Sequence, residues 1–170
     1  LFATDAFQNG LFEIQDEGSQ LIALSTGVKS GDTVVDFCAG AGGKTLALAA
    51  QMQNKGTIYA CDIHEKRLNE LPKRLKRAGV GNVRLKLLTG TSDKWIKRHK
   101  QTADVVLVDA PCSGTGTWRR SPDHKWRLQV ENIDNLQKTQ HEILLSASRL
   151  VKPEGVLVYA TCSLLKEENE

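Results

Sequence analysis

Two cysteines stand in short segments where a nucleophile could act. Cys112 lies in the glycine-containing segment Asp109–Gly116, Cys162 lies in Thr161–Ser163, and each segment directly follows an apolar run. A thiolate is a strong nucleophile, and the acid Asp109 stands close to the first of the two cysteines. The pattern favours covalent chemistry by a cysteine. Simple packing of both side chains stays open at this point, because free cysteines are often buried as small hydrophobes.

A glycine-rich turn, Asp36–Thr45, is the second candidate, with the sequence Asp-Phe-Cys-Ala-Gly-Ala-Gly-Gly-Lys-Thr. Glycines let a backbone approach a ligand closely, and the N-terminus of a following helix favours negative charge. The P-loop motif needs a glycine where Cys38 stands, and the dinucleotide fingerprint needs one where Thr45 stands. Asp62 ends the next apolar run, where an acid can bind both hydroxyls of a ribose or cap a helix. The turn and this acid predict a site for a nucleoside-type ligand.

Short β-branched runs alternate along the chain with helix-like stretches, and near-continuous apolar runs are typical of strands buried on both faces. The predicted strands are Thr33–Phe37, Thr57–Cys61, Val83–Leu88, Val105–Val108 and Val156–Ala160. The predicted helices are Gly18–Thr26 after the N-cap Asp16, Lys44–Gln53, Glu65–Ala78 and Asn132–Leu150. We expect a kink or break at Pro72 and a turn at Lys152–Gly155.

This alternation predicts a single α/β domain over residues 1–170, built on a doubly wound parallel sheet with right-handed crossovers. Ligands of such sheets bind outside the carboxyl ends of the strands. The two cysteine segments, the glycine turn, Asp62 and Thr89–Gly90 all follow predicted strands. We therefore expect them to converge on one edge of the sheet.

Composition excludes several classes of protein. With 170 residues, 40% hydrophobic and 25% charged, the chain can enclose a core and is not a disordered tail. No apolar run approaches the roughly 20 residues of a membrane-spanning helix, and the first residues do not form a signal peptide. The chain opens on Leu1 and stops on the polar run Lys166–Glu170, so we interpret it as a piece of a longer protein.

The four cysteines form no Cys-x-x-Cys pair and have no histidine at ligand spacing. We therefore expect neither a structural zinc site nor a disulfide framework, but reduced thiols in a cytoplasmic protein. We also expect a monomer that needs no metal and no membrane.

The net charge of +3 is too mild to indicate a nucleic-acid-binding protein by itself. The distribution of basic residues is more informative. Two clusters, within residues 66–77 and 94–100, read as solvated helix faces, whereas a third, Arg119–Arg127, lies in a loop that contains glycine and proline. This third cluster is the candidate for contacts with phosphate.

Taken together, these segments resemble the RNA cytosine-5 methyltransferases of the Sun/Fmu type, over nearly the whole chain. Two cysteines in these two contexts are a hallmark of the RNA cytosine-5 enzymes. The matching segments are Phe12–Leu21 before the first strand, the cofactor loop Asp36–Thr45, the Asp-Ala-Pro-Cys motif Asp109–Gly116, the Arg-Arg-x-Pro segment Arg119–Trp126 and the nucleophile motif Thr161–Ser163.

The resemblance implies a Rossmann-like class I fold dependent on S-adenosylmethionine, here truncated after the fifth strand and lacking an N-terminal RNA-binding domain. It implies methylation of cytosine C5 in RNA, in particular 16S ribosomal RNA, through a covalent adduct between cysteine and C6. In this scheme Cys162 is the nucleophile, Cys112 assists release, Asp109 contacts the cytosine, and Lys44 orients Asp109 or lowers the pKa of a nearby thiol. The cofactor-binding residues that it implies are Cys38, Ala39, Gly40, Ala41, Gly42, Gly43, Lys44, Asp62, Gly90 and Asp109.

The sequence departs from the family at two positions of the cofactor site. Ala41 stands where the family usually has proline, and Thr89–Ser92 precedes Asp93 where the family usually offers an acid near the adenine. That contact is expected at the Gly90 backbone or at Asp93. Two other functions stay open: a DNA cytosine-5 methyltransferase that uses Cys112 as the nucleophile, and a non-catalytic RNA-binding module of Rossmann type.

Overall fold

The computed structural model describes residues 1–170, apart from the side chain of Val130. Its five strands form one sheet in the order β3-β2-β1-β4-β5, and every neighbouring pair is parallel. The strands are β1 Thr33–Asp36, β2 Thr57–Asp62, β3 Val83–Leu87, β4 Ala103–Asp109 and β5 Val151–Ala160. The helices are α1 Asp5–Gln8, α2 Glu17–Ser25, α3 Gly43–Gln51, α4 Glu65–Leu68, α5 Leu71–Arg77, α6 Lys94–Arg98, α7 His124–Arg127 and α8 Val130–Ser148. Single 3₁₀ turns lie at Thr115–Thr117 and Lys166–Glu168.

Side chains of the strands alternate between two apolar cores, because successive residues of a strand point to opposite faces of a sheet. Val34 and Leu107 face one core, which contains Ala23 of α2 and Leu48 of α3. Their neighbours along the strands, such as Val35, face the other core, where α6 and α8 contribute Ile96, Ile143 and Ala147. Helices therefore cover both faces, as the continuous apolar runs predict.

The break expected at Pro72 is confirmed. The predicted helix Glu65–Ala78 is two helices, α4 and α5, and Pro72 lies in the first turn of α5. A proline is tolerated there because the first amides of a helix have no intrahelical partner.

The turn predicted before the last strand is wrong in its boundary, because β5 already begins at Val151. Ala103 pairs with Val151, but Val105 pairs with Val156, so the register shifts at this point. Residues 152–155 form an irregularity inside the strand, with Glu154 at a left-handed φ of 64°. A turn-like sequence is thus accommodated within the strand instead of preceding it.

The strand order reverses direction between β1 and β4, which are neighbours in the sheet although β2 and β3 intervene in the chain. The loops that follow β1 and β4 are hydrogen-bonded to the ends of neighbouring strands: Ala39 N donates to Cys61 O of β2 at 2.9 Å, and Ala110 N donates to Ala160 O of β5 at 2.9 Å. Open α/β sheets bind ligands at such a reversal. Among the described residues, no helix is long and apolar enough to cross a membrane.

Candidate active site

A cavity of about 730 Å³ lies at the carboxyl edge of the sheet, within the size range of ligand pockets. All five loops that leave the strands at this edge contribute to its lining, as the sequence predicts. The predicted site residues that line it are Cys38, Ala39, Gly40, Ala41, Lys44, Asp62, Gly90, Asp109, Cys112 and Cys162. Gly43 lines only a smaller adjoining cavity of about 260 Å³, and Gly42 lines neither.

Asp62 fastens the glycine turn to the end of β2. Its Oδ2 accepts a hydrogen bond from Gly40 N at 2.7 Å, and its Oδ1 accepts one from His64 N at 2.7 Å. The carboxylate is 6% exposed and lines the main cavity. The N-cap of α4 is His64. Asp62 therefore lies just before the helix and is not its N-cap.

Gly42 shapes the turn and lines neither cavity. It sits at the N-cap of α3 with a φ of 82°, and a Cβ there would lie 2.1 Å from Leu71 Cδ1. Gly40 also has a left-handed φ, of 55°, but a Cβ there would meet no atom within 4 Å. The two glycines therefore have different roles, one in packing and one beside the cavity.

Asp36 is a site residue that the sequence motif contained but that we did not predict. It is fully buried at the end of β1, where Oδ2 accepts a hydrogen bond from Thr45 Oγ1 at 2.7 Å. Its other oxygen, Oδ1, has no partner among the described residues, and Asp36 lines the smaller cavity. Burial raises the pKa of Asp36 to about 7, although the Thr45 hydrogen bond opposes the shift. A buried acceptor without a donor is where a cationic ligand group would fit.

Lys44 and Asp109 form an ion pair at the boundary between the two cavities. Lys44 Nζ lies 2.6 Å from Asp109 Oδ2 and 3.4 Å from Ser19 Oγ. The lysine side chain is 13% exposed and that of Asp109 is 32% exposed. The contact predicted between these two residues is present, and it leaves Asp109 Oδ1 available to a ligand in the main cavity.

Cys112 and Cys162 are in contact, with 3.2 Å between their sulfur atoms, although they are 50 residues apart in the chain. Both are free thiols, and Cys162 is the more exposed. A hydrogen bond from Cys112 lowers the pKa of Cys162 to about 7, against the opposing effects of burial and of Asp109. The same contact, followed by burial, raises the pKa of Cys112. Lys44 also lowers the pKa of Cys162, as a minor contribution.

The other two cysteines have a different environment. Burial, reinforced by the charge of Asp36, raises the pKa of both the Cys38 and the Cys61 thiols. Both therefore stay protonated at neutral pH. Among the four cysteines, Cys162 is the exposed one and the one whose pKa is lowered.

The loop after β3 presents Gly90 and Thr91 to the main cavity, whereas Asp93 is not part of the lining. Asp93 instead closes its own loop: one oxygen accepts from Thr89 N at 2.9 Å and the other caps α6 through Trp95 N at 2.7 Å. Of the two contacts predicted here, the geometry therefore favours the Gly90 backbone.

The third basic cluster lies at the rim of the cavity. Arg120 lines the cavity and pairs with Asp16 at 2.8 Å, and both side chains are about half exposed. Further along this segment, Trp126 is 84% exposed beside Lys125. Exposed cationic and aromatic side chains next to a cavity are typical of surfaces that bind nucleic acid.

Comparison with known proteins gives a family match over most of the chain. A family profile described as 16S rRNA methyltransferase RsmB/F matches residues 23–170. The chain is 37% identical, over 167 residues, to the probable ribosomal RNA small subunit methyltransferase B of Bacillus subtilis (strain 168). That match covers 98% of this chain and 37% of the relative, so the chain spans a little over one third of the relative's length.

Two solved structures are similar over almost the whole chain. PH0851 superposes with a TM-score of 0.92 at 41% identity, covering 97% of this chain and 37% of the other. NSun6 from Pyrococcus horikoshii with SFG superposes with a TM-score of 0.87 at 32% identity, covering 99% of this chain and 42% of the other. The Rossmann-like α/β methyltransferase fold predicted from the sequence is thereby confirmed.

Proposed function

The chain belongs to the RsmB/F family of 16S rRNA methyltransferases, and from this premise we propose that it methylates C5 of cytosine in small-subunit ribosomal RNA. The observation that carries the proposal is the contact of 3.2 Å between Cys112 and Cys162. One member of that pair has a lowered pKa, and both lie in a cavity with the ion pair of Lys44 and Asp109. A thiolate that adds to C6, a carboxylate that binds the cytosine edge and a second thiol that assists the later elimination are groups suited to this reaction.

The family is dependent on S-adenosylmethionine, and the residues of the two cavities fit this cofactor. Asp62 can accept hydrogen bonds from ribose hydroxyls, since each of its oxygens has a lone pair beyond those used by Gly40 and His64. Apolar side chains of Phe37, Leu88 and Ile143 can cover the adenine. The unpartnered Oδ1 of Asp36 fits the ammonium group of the methionine part. When bound, S-adenosylmethionine supplies an electrophilic methyl group.

The protein's own task is to make C5 of cytosine nucleophilic, because an aromatic C5 is a poor nucleophile. The Cys162 thiolate adds to C6, and the ring electrons become available at C5. Asp109 accepts a hydrogen bond from the cytosine edge, while Lys44 Nζ holds its other oxygen in place. Once Cys162 is bonded to C6, the contact that chiefly raises the pKa of Cys112 is lost, and Cys112 can release its proton to solvent. After methyl transfer the Cys112 thiolate accepts the C5 proton, the bond between sulfur and C6 breaks, and Cys162 returns as a thiolate. A paired cytosine must first leave its stack to reach this cavity.

Replacing each cysteine by alanine tests the assignment in the full chain with RNA and S-adenosylmethionine. We expect Cys162→Ala to lose methyl transfer and every covalent adduct, because no thiol remains to add at C6. We expect Cys112→Ala to accumulate a denaturant-resistant complex of protein and RNA, because addition continues while elimination slows. A denaturing gel with labelled RNA distinguishes the two variants. The control is Cys61→Ala, because Cys61 is a buried thiol that does not line the cavity.

The reverse pattern on that gel would assign the nucleophile to Cys112, as in DNA cytosine-5 methyltransferases. The lowered pKa of Cys162 and the raised pKa of Cys112 favour Cys162. Binding of S-adenosylmethionine and RNA without any methyl transfer by the wild-type chain would instead indicate a non-catalytic RNA-binding module.

A further inference from the structure

Behind the two cysteine loops, and outside the cavity, lies a buried carboxylate that the mechanism does not use. Glu168, in the last 3₁₀ turn, is 3% exposed. Its Oε1 accepts hydrogen bonds from Ser113 N at 2.8 Å and Gln140 Nε2 at 2.9 Å, and its Oε2 accepts one from Ser113 Oγ. A buried ionised carboxylate is costly unless it is fully hydrogen-bonded, and this one is.

The carboxylate fixes the direction of a chain of hydroxyl groups that joins the two loops. Ser113 follows Cys112, Ser163 follows Cys162, and their hydroxyl oxygens lie 3.1 Å apart. Ser113 donates its one hydroxyl proton to Glu168, so Ser163 must donate to Ser113. Thr115, whose Oγ1 lies 3.2 Å from Ser163 Oγ, then donates to Ser163.

Backbone amides complete this arrangement. Leu164 N donates to Thr115 Oγ1 at 2.8 Å, and Gly116 N donates to Cys162 O at 3.0 Å. Each hydroxyl proton of Thr115, Ser163 and Ser113 is therefore used once, and the three hydroxyl groups donate in sequence toward Glu168. Burial raises the pKa of Glu168, but hydrogen bonds from the hydroxyl and the amide of Ser113 and from Gln140 oppose burial, and the net pKa is lowered. The group is therefore ionised at neutral pH.

We propose that Glu168 is a positioning residue that holds the Cys112 and Cys162 sulfur atoms in contact through Ser113 and Ser163. It touches neither sulfur and lines neither cavity among the described residues, so it acts only through the two serines. Its significance for catalysis rests on the proposed function. Its effect on the thiols can be measured without RNA.

The test is the variant Glu168→Gln in the full chain. The carboxamide of glutamine presents an N–H donor to Ser113 and Gln140, which are themselves donors. The hydroxyl groups then no longer all donate toward residue 168, and the contact between Ser113 and Ser163 weakens. We expect alkylation of Cys162 by iodoacetamide, followed by mass spectrometry of its peptide, to slow about tenfold at pH 7. When the rate of Cys162 alkylation is measured against pH, the midpoint of the curve should rise from about 7 toward the ordinary cysteine pKa of about 8.5. The affinity for S-adenosylmethionine should stay unchanged, because Glu168 does not line the cofactor cavity.

The direction in which the pKa of Cys162 shifts distinguishes a positioning role of Glu168 from a direct effect of its negative charge. Removal of a negative charge near a thiol lowers the thiol pKa, whereas loss of the Cys112 hydrogen bond raises the pKa of Cys162. Glu167→Gln is the matched control, since Glu167 is exposed and adjacent and the same charge is removed. We expect it to behave as the wild type.

An unshifted or lowered midpoint in folded Glu168→Gln, or an equal rise in Glu167→Gln, would overturn the inference. If circular dichroism shows that Glu168→Gln does not fold, Ser163→Ala takes its place, because it removes only one hydroxyl of the chain. An unshifted midpoint in Ser163→Ala would likewise overturn the positioning role of Glu168. A wild-type chain that fails to methylate RNA would refute the proposed function and leave the alkylation result intact.

Discussion

Asp36 is the residue at which burial opposes ionisation most directly. It is fully buried, one of its oxygens has no donor among the described residues, and burial raises its pKa to about 7. An ionised carboxylate in this position lowers the free energy of unfolding, unless a ligand places a cationic group beside it. Retaining it at the edge of the cofactor cavities is consistent with a binding role, since strained or unsatisfied groups cluster at functional sites.

The pH dependence of stability should report Asp36. Between pH 4 and pH 7 the unfolded chain has released the proton of Asp36 while the folded chain still holds it. The free energy of unfolding therefore falls as pH rises through this window, by up to about 1.4 kcal/mol per pH unit from this one group. In Asp36→Asn the fall should be absent, as measured by urea unfolding at pH 5, 6 and 7.

Asp134→Asn, at an exposed position of α8, should keep the pH dependence of the wild type. A slope for Asp36→Asn that equals the wild-type slope would mean that Asp36 is already ionised in the folded protein at pH 5.

At the scale of elements, apolar runs in the sequence were sufficient to predict that five strands exist, and the central strands β1, β2 and β4 are buried on both faces as such runs indicate. The edge strands β3 and β5 contain no buried residue, and β5 begins at Val151 instead of Val156. Placing Asp62, Asp109 and Cys162 at one edge also followed from the sequence, since each ends or follows a parallel strand. The contact between Cys112 and Cys162 did not follow, because it depends on the pairing of β4 with β5 and on side-chain rotamers. The sequence did not indicate a role for Glu168, since its hydrogen-bond partners Ser113 and Gln140 lie 55 and 28 residues away in the chain.

The junction between β1 and α3 depends on the shape of one glycine. Gly42 has a φ of 82°, and an added Cβ would clash with Leu71 of α5. We expect Gly42→Ala to lower the free energy of unfolding by about 2–4 kcal/mol, from left-handed strain and overpacking together. Urea unfolding measures the change.

Gly40→Ala is the matched control for that substitution. Its φ of 55° imposes similar strain, but the added methyl group would meet no atom within 4 Å. We expect a loss of only about 1–2 kcal/mol for Gly40→Ala, from strain alone. Equal losses in the two variants would show that backbone conformation, and not contact with α5, determines the cost.

At the scale of the whole molecule, a net charge of only +3 makes the position of the basic residues more important than their number. The pairs Arg119 with Arg120 and Lys97 with Arg98 carry the same charge and are all exposed. Only the first pair includes a residue that lines the cavity, Arg120, which pairs with Asp16. If RNA delivers a cytosine to Cys162, as proposed above, phosphate contacts are expected from Arg119 and Arg120 at this rim.

Replacing Arg119 and Arg120 together by alanine should therefore weaken binding of small-subunit rRNA and reduce its dependence on salt. Each phosphate contact contributes about 0.7–0.9 to the slope of log K against log salt concentration, so loss of two contacts should reduce the slope by about 1.5. Titrations of the full chain with RNA at several salt concentrations measure this slope. The Lys97→Ala/Arg98→Ala variant is the control, because it removes the same number of positive charges. If both double variants reduce the slope equally, RNA responds to total charge. If only the arginine variant does, the phosphate backbone crosses the rim of the cavity that holds the two cysteines.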